Sequence, residues 1–323
     1  MDDIILCDNS VMPALINLGV LRDISGYVDQ SRMVYQYALA QWNNTRSDGK
    51  YYGIPFTNDP YVLIFNQDLF KERNAALPDT WEDWKQTARQ IQKVGSFAIG
   101  IGARQPEEIT ALYLPLLYST GGSIRDVNGQ GGMKVLELLH FMKVNKMLSP
   151  QCVNWNQADL IAKFQKGEIS MMVNQLSARA VLRKTPPDFA VGVMAVPYDK
   201  KENFMFHGKN LGVSVTADPD MAYAFLDYVT RRDVIEKVAD TLCSIPVQLD
   251  LMGQQEPDVF VNREEFMRKL RAQGIAKSSL NSWFDISSAI SEGVFSVVGQ
   301  KDPVLPDIAE TMHDKVRIAI IEN

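Results

Sequence analysis

The sequence predicts an α/β fold divided into two domains. Short apolar runs at residues 4–7, 61–65, 97–101 and 169–174 alternate with longer stretches whose apolar residues recur at helical spacing. That alternation is the mark of strands and helices packed in layers. A chain of 323 residues is about two domains long and can bury a core in each. Its 46% apolar and 22% charged content is that of a globular protein.

The elements follow in order. Residues 4–7 form the first strand, with Asp8-Asn9-Ser10 after it. Neither a basic region nor a long hydrophobic segment precedes this strand, so no signal peptide is expected. The chain turns polar over 35–50 and ends in Ser47-Asp48-Gly49, a turn. Apolar runs at 51–55 and 61–65 then flank a polar tip, Thr57-Asn58-Asp59-Pro60. Thr80, with Asp83 three residues on, opens a helix. Along it Trp81, Trp84, Ala88, Ile91 and Val94 recur on one face. A strand at 97–101 and a helix near 107–118 come next, then a helix over 133–147 with Val135, Leu138, Leu139 and Met142 on one side.

Asn156 caps a further helix with Leu160, Ile161 and Phe164 inward, and Gly167 stands where a left-handed residue is wanted. Strands at 169–174, 189–196 and 211–215 follow. Asp218 and Pro219 start a helix whose inner face is Met221, Ala222, Phe225, Leu226 and Val229. Asn281-Ser282-Trp283-Phe284 precedes a helix with Ile286, Ile290, Val294 and Val297 inward, and a last amphipathic helix runs to Ile321.

Several functional classes find no support. A net charge of −6 argues against nucleic acid or an anionic membrane as partner. The longest apolar stretch, near 111–118, is too short to span a bilayer. Cys7, Cys152 and Cys243 are too scattered for a disulfide framework or a zinc site and are expected as buried thiols. Of His140, His207 and His313, the first and last fall on helices in surface or capping positions, and no H-E-x-x-H spacing occurs. Gly100-Ile101-Gly102 follows a strand, but Gln105 occupies the place of the third glycine in a dinucleotide loop. There is no P-loop and no G-x-S-x-G elbow. Glu107-Glu108 and Glu264-Glu265 read as helix-surface pairs, and nothing sets two carboxylates across a cleft as a glycosidase requires. The expectation is a protein without catalytic residues, metal or cofactor.

Two passages carry a family resemblance. Residues 51–91 contain GIP, TNDP, LIFN, QDLF and PDTWED in that order, and residues 162–174 read AKFQKGEISMMVN. Both resemble the extracellular solute-binding proteins of ABC transporters, the carbohydrate-binding family that contains maltose-binding protein. The resemblance extends in order over the whole chain after Ile4. It departs at Gln175-Leu176-Ser177, where the family has G-P-W and a stacking tryptophan.

The resemblance implies a two-lobe periplasmic-binding-protein-like fold of type II, with a hinge and three crossings near 62–65, 210–212 and 248. Lobe one would hold residues 1–63 and 212–247, and lobe two residues 64–211 and 248–323. In the family the strand matched by residues 4–7 is internal. The first lobe is therefore expected to be N-terminally truncated, without the usual leader and lipid-anchor cysteine. The implied function is binding of a sugar or oligosaccharide between the lobes for an ABC importer. The expected partners are the ligand and the permease subunits, with no nucleic acid. Membrane contact would come only through the transporter or a lipid anchor, the location would be periplasmic or at the cell surface, and the chain would be a monomer. Alternatives are a repurposed homologue acting as a sensor or partner-binding module and, behind it, a glycoside-processing enzyme.

Sugar binding needs aromatic faces for C–H surfaces, and amides and carboxylates for hydroxyls. Ligands enter open α/β sheets at loops after strands. The candidates are Asn9 and Ser10 after the first strand, Asn58 and Asp59 at the polar tip, Gln175, Asn210 and Trp283. The last matches an aromatic position before the family's long C-terminal helix. Against these stand ordinary roles: turns and caps for the polar residues, core packing for Trp283. Trp81, Trp84 and Trp155 are assigned to packing.

Overall fold

The computed structural model describes residues 2–253, 260–277, 280 and 282–321, so Asn281 lies outside the described residues. The chain runs β1 (Ile4–Asp8), α1 (Met12–Asn17), α2 (Ser25–Ser31), β2 (Arg46–Ser47), β3 (Lys50–Tyr51), β4 (Gly53–Pro55) and β5 (Tyr61–Asn66). Next come α3 (Gln67–Glu72), α4 (Trp81–Ile91), β6 (Phe97–Gly100), α5 (Pro106–Ser119), α6 (Gln130–Val144), α7 (Gln157–Gln165), β7 (Ile169–Gln175), α8 (Ala178–Lys184) and β8 (Val191–Met194). The remainder is β9 (Met205–Phe206), β10 (Lys209–Val213), α9 (Pro219–Val229), α10 (Arg232–Leu242), α11 (Arg263–Gln273), β11 (Ile275–Ala276), α12 (Trp283–Gly299) and α13 (Leu305–Ile321).

Helix starts follow their capping residues. Thr80 Oγ1 accepts from Asp83 N at 3.2 Å while Asp83 Oδ2 accepts from Thr80 N at 3.0 Å, closing the box that begins α4. Asn156 and Asp159 exchange the same pair of bonds, both 2.9 Å, at α7. Asp218 Oδ1 accepts from Met221 N at 3.0 Å ahead of α9, with Pro219 in the first turn.

The chain folds into two compact units. Unit 1 comprises Met1–Pro60, Phe204–Pro257 and Arg263–Trp283; unit 2 comprises Tyr61–Asn203, Asp258–Asn262 and Phe284–Asn323. In unit 1 the sheet order is β1-β10-β4, all antiparallel, with Cys7 opposite Asn210 and Asp8 opposite Lys209. Ile24, Trp42, Ile54, Leu211, Val213, Leu226 and Leu251 are among the buried residues of its core. In unit 2 the order is β6-β7-β5-β8. Its strand β5 buries Val62, Leu63, Ile64 and Phe65 in succession, as a strand covered on both faces must.

These boundaries differ from the expected lobes. The resemblance places 204–211 and 248–323 in lobe two, whereas 204–257 and 263–283 belong to unit 1. Strand β10 pairs with β1 and β4, and Lys277 beside β11 meets Asp8 through its ammonium and Asn44 through its carbonyl, which ties both stretches to unit 1. Strand β11 runs parallel to β9, Ile275 beside Met205 and Ala276 beside Phe206. Phe204 also meets Phe266 of α11 edge-on, ring centroids 5.3 Å apart. Residues 61–63 join unit 2 because β5 pairs with β7 and β8.

Two helical faces are narrower than their periodicity suggests. Helix α4 stops at Ile91 and the chain turns at Gly95 (φ +83°), which leaves Val94 fully exposed. On α9 only Ala222, Leu226 and Val229 are buried, while Met221 (73%) and Phe225 (43%) face solvent. Three buried positions at i, i+4 and i+7 are enough to seat one helix on the core, and Met221 and Phe225 flank that stripe.

Candidate functional site

The site is built where strands of unit 1 end. The last residue of β1, Asp8, leads into a tight turn: its Oδ1 accepts from Ser10 N at 2.9 Å and from Ser10 Oγ at 2.6 Å. Asn9 is anchored through its backbone, Asn9 N donating to Gly208 O at 2.9 Å, and its side-chain Nδ2 donates to Phe206 O at 3.2 Å. The polar tip reaches the same place. Asp59 N donates to His207 O at 2.5 Å, and Phe56 N and Thr57 N both donate to Lys209 O, at 2.9 and 3.1 Å. Gly208 makes this approach possible. Its φ is +155°, and a Cβ there would sit 2.1 Å from Thr57 O and 3.2 Å from Asn58 Cα, so a side chain is excluded.

Around this junction three asparagines are buried, Asn58 at 1%, Asn210 at 3% and Asn9 at 7% exposure. Each has side-chain atoms with no hydrogen-bond partner: Asn9 Oδ1, Asn58 Oδ1 and Nδ2, and Asn210 Nδ2. Buried amide groups are normally satisfied, since an unsatisfied one costs about 1–3 kcal/mol. Unmet donors and acceptors of three amides thus lie at one end of the sheet.

A charged cluster adjoins the amides. Lys277, the residue after β11, has a fully buried side chain. Its Nζ lies 3.4 Å from Asp8 Oδ1, 3.1 Å from Ser10 Oγ and 3.4 Å from His207 Nε2, and 5.3 Å from the centre of the Trp283 ring. The segment is held from behind by Asn44 Nδ2, which donates to Lys277 O at 3.1 Å. His207 Nε2 is 3.7 Å from Asp8 Oδ2. Burial pushes the Asp8 carboxyl up, but the charges of His207 and Lys277 and two hydrogen bonds from Ser10 outweigh it and hold the group well below the usual carboxylate range. Burial, with the Asp8 charge added, pushes the neighbouring Cys7 thiol up to about 12, so Cys7 is neutral at physiological pH and no nucleophile.

Asp8, Ser10 and His207 are the residue types of a hydrolytic triad, but not its geometry. In a triad the serine hydroxyl gives its proton to imidazole and the carboxylate holds the other ring nitrogen. Here Ser10 Oγ donates directly to Asp8, and His207 turns one nitrogen, Nε2, to both Asp8 and Lys277. Among the described residues no group of three or more His, Cys, Asp and Glu could hold a metal ion. No described helix is long and apolar enough to cross a membrane.

Of the sequence candidates, Asn9, Ser10, Asn58, Asp59 and Asn210 come together in unit 1. Gln175 belongs to unit 2. It ends β7 in unit 2, opposite Tyr61, and its N donates to Asn174 Oδ1 at 2.8 Å. Trp283 is fully buried, and the Lys277 ammonium meets its ring. The role this geometry supports for Trp283 is packing beneath Lys277 rather than stacking on a ligand. Sequence reasoning passed over Asp8, His207 and Lys277 as site residues. Asp8 could have been found from its place beside Asn9, but nothing marks Lys277 in the sequence as a buried lysine.

The profile of a family described as "Bacterial extracellular solute-binding protein" matches residues 1–259. A putative binding protein of Brucella abortus is 23% identical over 278 residues, which is 81% of this chain and 67% of that protein. The multiple sugar-binding protein of Streptococcus mutans is 22% identical over 248 residues, 69% of this chain and 56% of its own length. Among solved structures, an ABC-transporter solute-binding protein of Thermotoga lettingae bound with alpha-D-tagatose superposes with a TM-score of 0.86. It is 18% identical, and the match covers 98% of this chain and 85% of that one.

Proposed function

The chain belongs to the bacterial extracellular solute-binding proteins, and we propose that it binds a carbohydrate, a sugar or oligosaccharide, for an ABC importer. The observation that carries this reading is the set of unpaired amide atoms on Asn9, Asn58 and Asn210, buried together at the strand ends of unit 1. Amides that both donate and accept fit hydroxyl groups, which do the same. Asp8, with its side chain about one-third exposed, adds an acceptor fixed by Ser10 and Lys277. Asp59 is a further proposed contact. The names of the tagatose-bound and sugar-binding relatives support the same class of ligand.

The protein acts by binding without turnover, outside the cytoplasm, as a monomer that hands its ligand to permease subunits. The direct test is a panel of monosaccharides, disaccharides, maltooligosaccharides and sugar alcohols, followed by tryptophan fluorescence and by chromatography of the sugars. Saturable binding with unaltered sugars is expected. Product formation would favour an enzyme, and no response to any member would remove the carbohydrate reading.

A further inference from the structure

The charged groups beside the amides pair with one another, the Asp8 carboxylate taking Lys277 on Oδ1 and His207 on Oδ2. Asp8 and Lys277 stand 3.4 Å apart, with Ser10 Oγ hydrogen-bonded to both, 2.6 Å from the carboxylate and 3.1 Å from the ammonium. The ring of Trp283 supports the ammonium. The site atoms left without partners belong to neutral amides. A ligand arriving here therefore meets uncharged donors and acceptors next to an ion pair already formed. An anionic group would compete with Asp8 for Lys277, and a cationic group would compete with Lys277 for Asp8. Either leaves a buried charge less well matched, and burying a charge is costly unless it is paired.

We propose that Lys277 is a specificity-determining residue: by neutralising Asp8 it makes the unit 1 site select an uncharged hydroxyl-bearing ligand over its acidic and amino counterparts. This rests on the carbohydrate reading above and adds to it the charge of the ligand and the residue that sets it.

The test is calorimetric titration of the full chain with matched trios: glucose, glucuronate and glucosamine, and galactose, galacturonate and galactosamine. Any other neutral sugar that binds in the panel is titrated beside its uronic acid and its 2-amino analogue. The wild type is expected to bind the neutral member at least about tenfold more tightly than either charged one. Asp8→Asn, which leaves Lys277 without that carboxylate, should reduce the disadvantage of the uronic acid several-fold. Lys277→Met, which keeps the stem over Trp283 and removes the charge, should do the same for the amino sugar. Should both variants fail to fold, as judged by circular dichroism, the wild-type trio still decides. Equal or tighter binding of a charged member by the wild type, or folded variants that leave both ratios unchanged, overturns the proposal while the carbohydrate reading stands. No binding of any trio or panel member overturns both.

Discussion

Gly208 shows how much of the site depends on single atoms. An alanine there would need a φ of +155° and a Cβ 2.1 Å from Thr57 O, so the tip that carries Asn58 must move. Gly208→Ala is expected to lose about 1–3 kcal/mol of stability in urea unfolding and to weaken sugar binding; unchanged values for both would show that the junction is slack. Asp8 gives a pH signature. Its folded carboxyl is held below the usual range, so the contribution is complete above the unfolded pKa of about 3.9 and is lost as pH falls below that value towards the depressed folded one. The melting temperature of Asp8→Asn should lie below that of the wild type at pH 7, and the gap should narrow as the pH is taken through 4 and lower. A gap independent of pH would contradict the ion pair. Trp283 is expected to behave as core: Trp283→Ala should cost about 3–5 kcal/mol and lower the melting temperature, whereas a loss of sugar affinity with melting unchanged would return it to a stacking role.

At the level of elements, local chemistry reads through to structure wherever the deciding contacts are local. Thr80-Asp83, Asn156-Asp159 and Asp218-Pro219 all begin helices where the residues say they should, because a cap is settled within four residues. Thr80→Ala should therefore cost about 1 kcal/mol and leave sugar affinity untouched, which thermal melting and titration check together. Apolar faces are less legible. Met221 and Phe225 satisfy helical periodicity yet remain exposed, since which part of a wide stripe is covered depends on what packs against it. The site divides in the same way. Asn9, Asn58 and Asn210 were accessible as polar residues at strand ends, but Lys277 reaches Asp8 across 269 positions of sequence, and no spacing rule spans that distance.

For the molecule as a whole, the α/β class and the family were readable from the order of motifs, whereas the partition into units was not. The stretch that carries β11 is tied to unit 1 by Lys277, which meets Asp8 and Asn44 far back in the chain, and such contacts are a tertiary fact. The central claim is that unit 1 buries amide groups for a ligand and not for its own stability. Asn58 states it most sharply, being 1% exposed with both side-chain polar atoms unpaired. Removing an unsatisfied buried polar group relieves its desolvation cost, and stabilising changes at functional sites come at the expense of function. The decisive measurement is calorimetric titration of wild type and Asn58→Ala with the tightest sugar of the panel, beside their melting curves. The account predicts at least about a tenfold loss of affinity with a melting temperature equal to or above that of the wild type. Undiminished affinity in Asn58→Ala, or a large drop in its melting temperature, would contradict it.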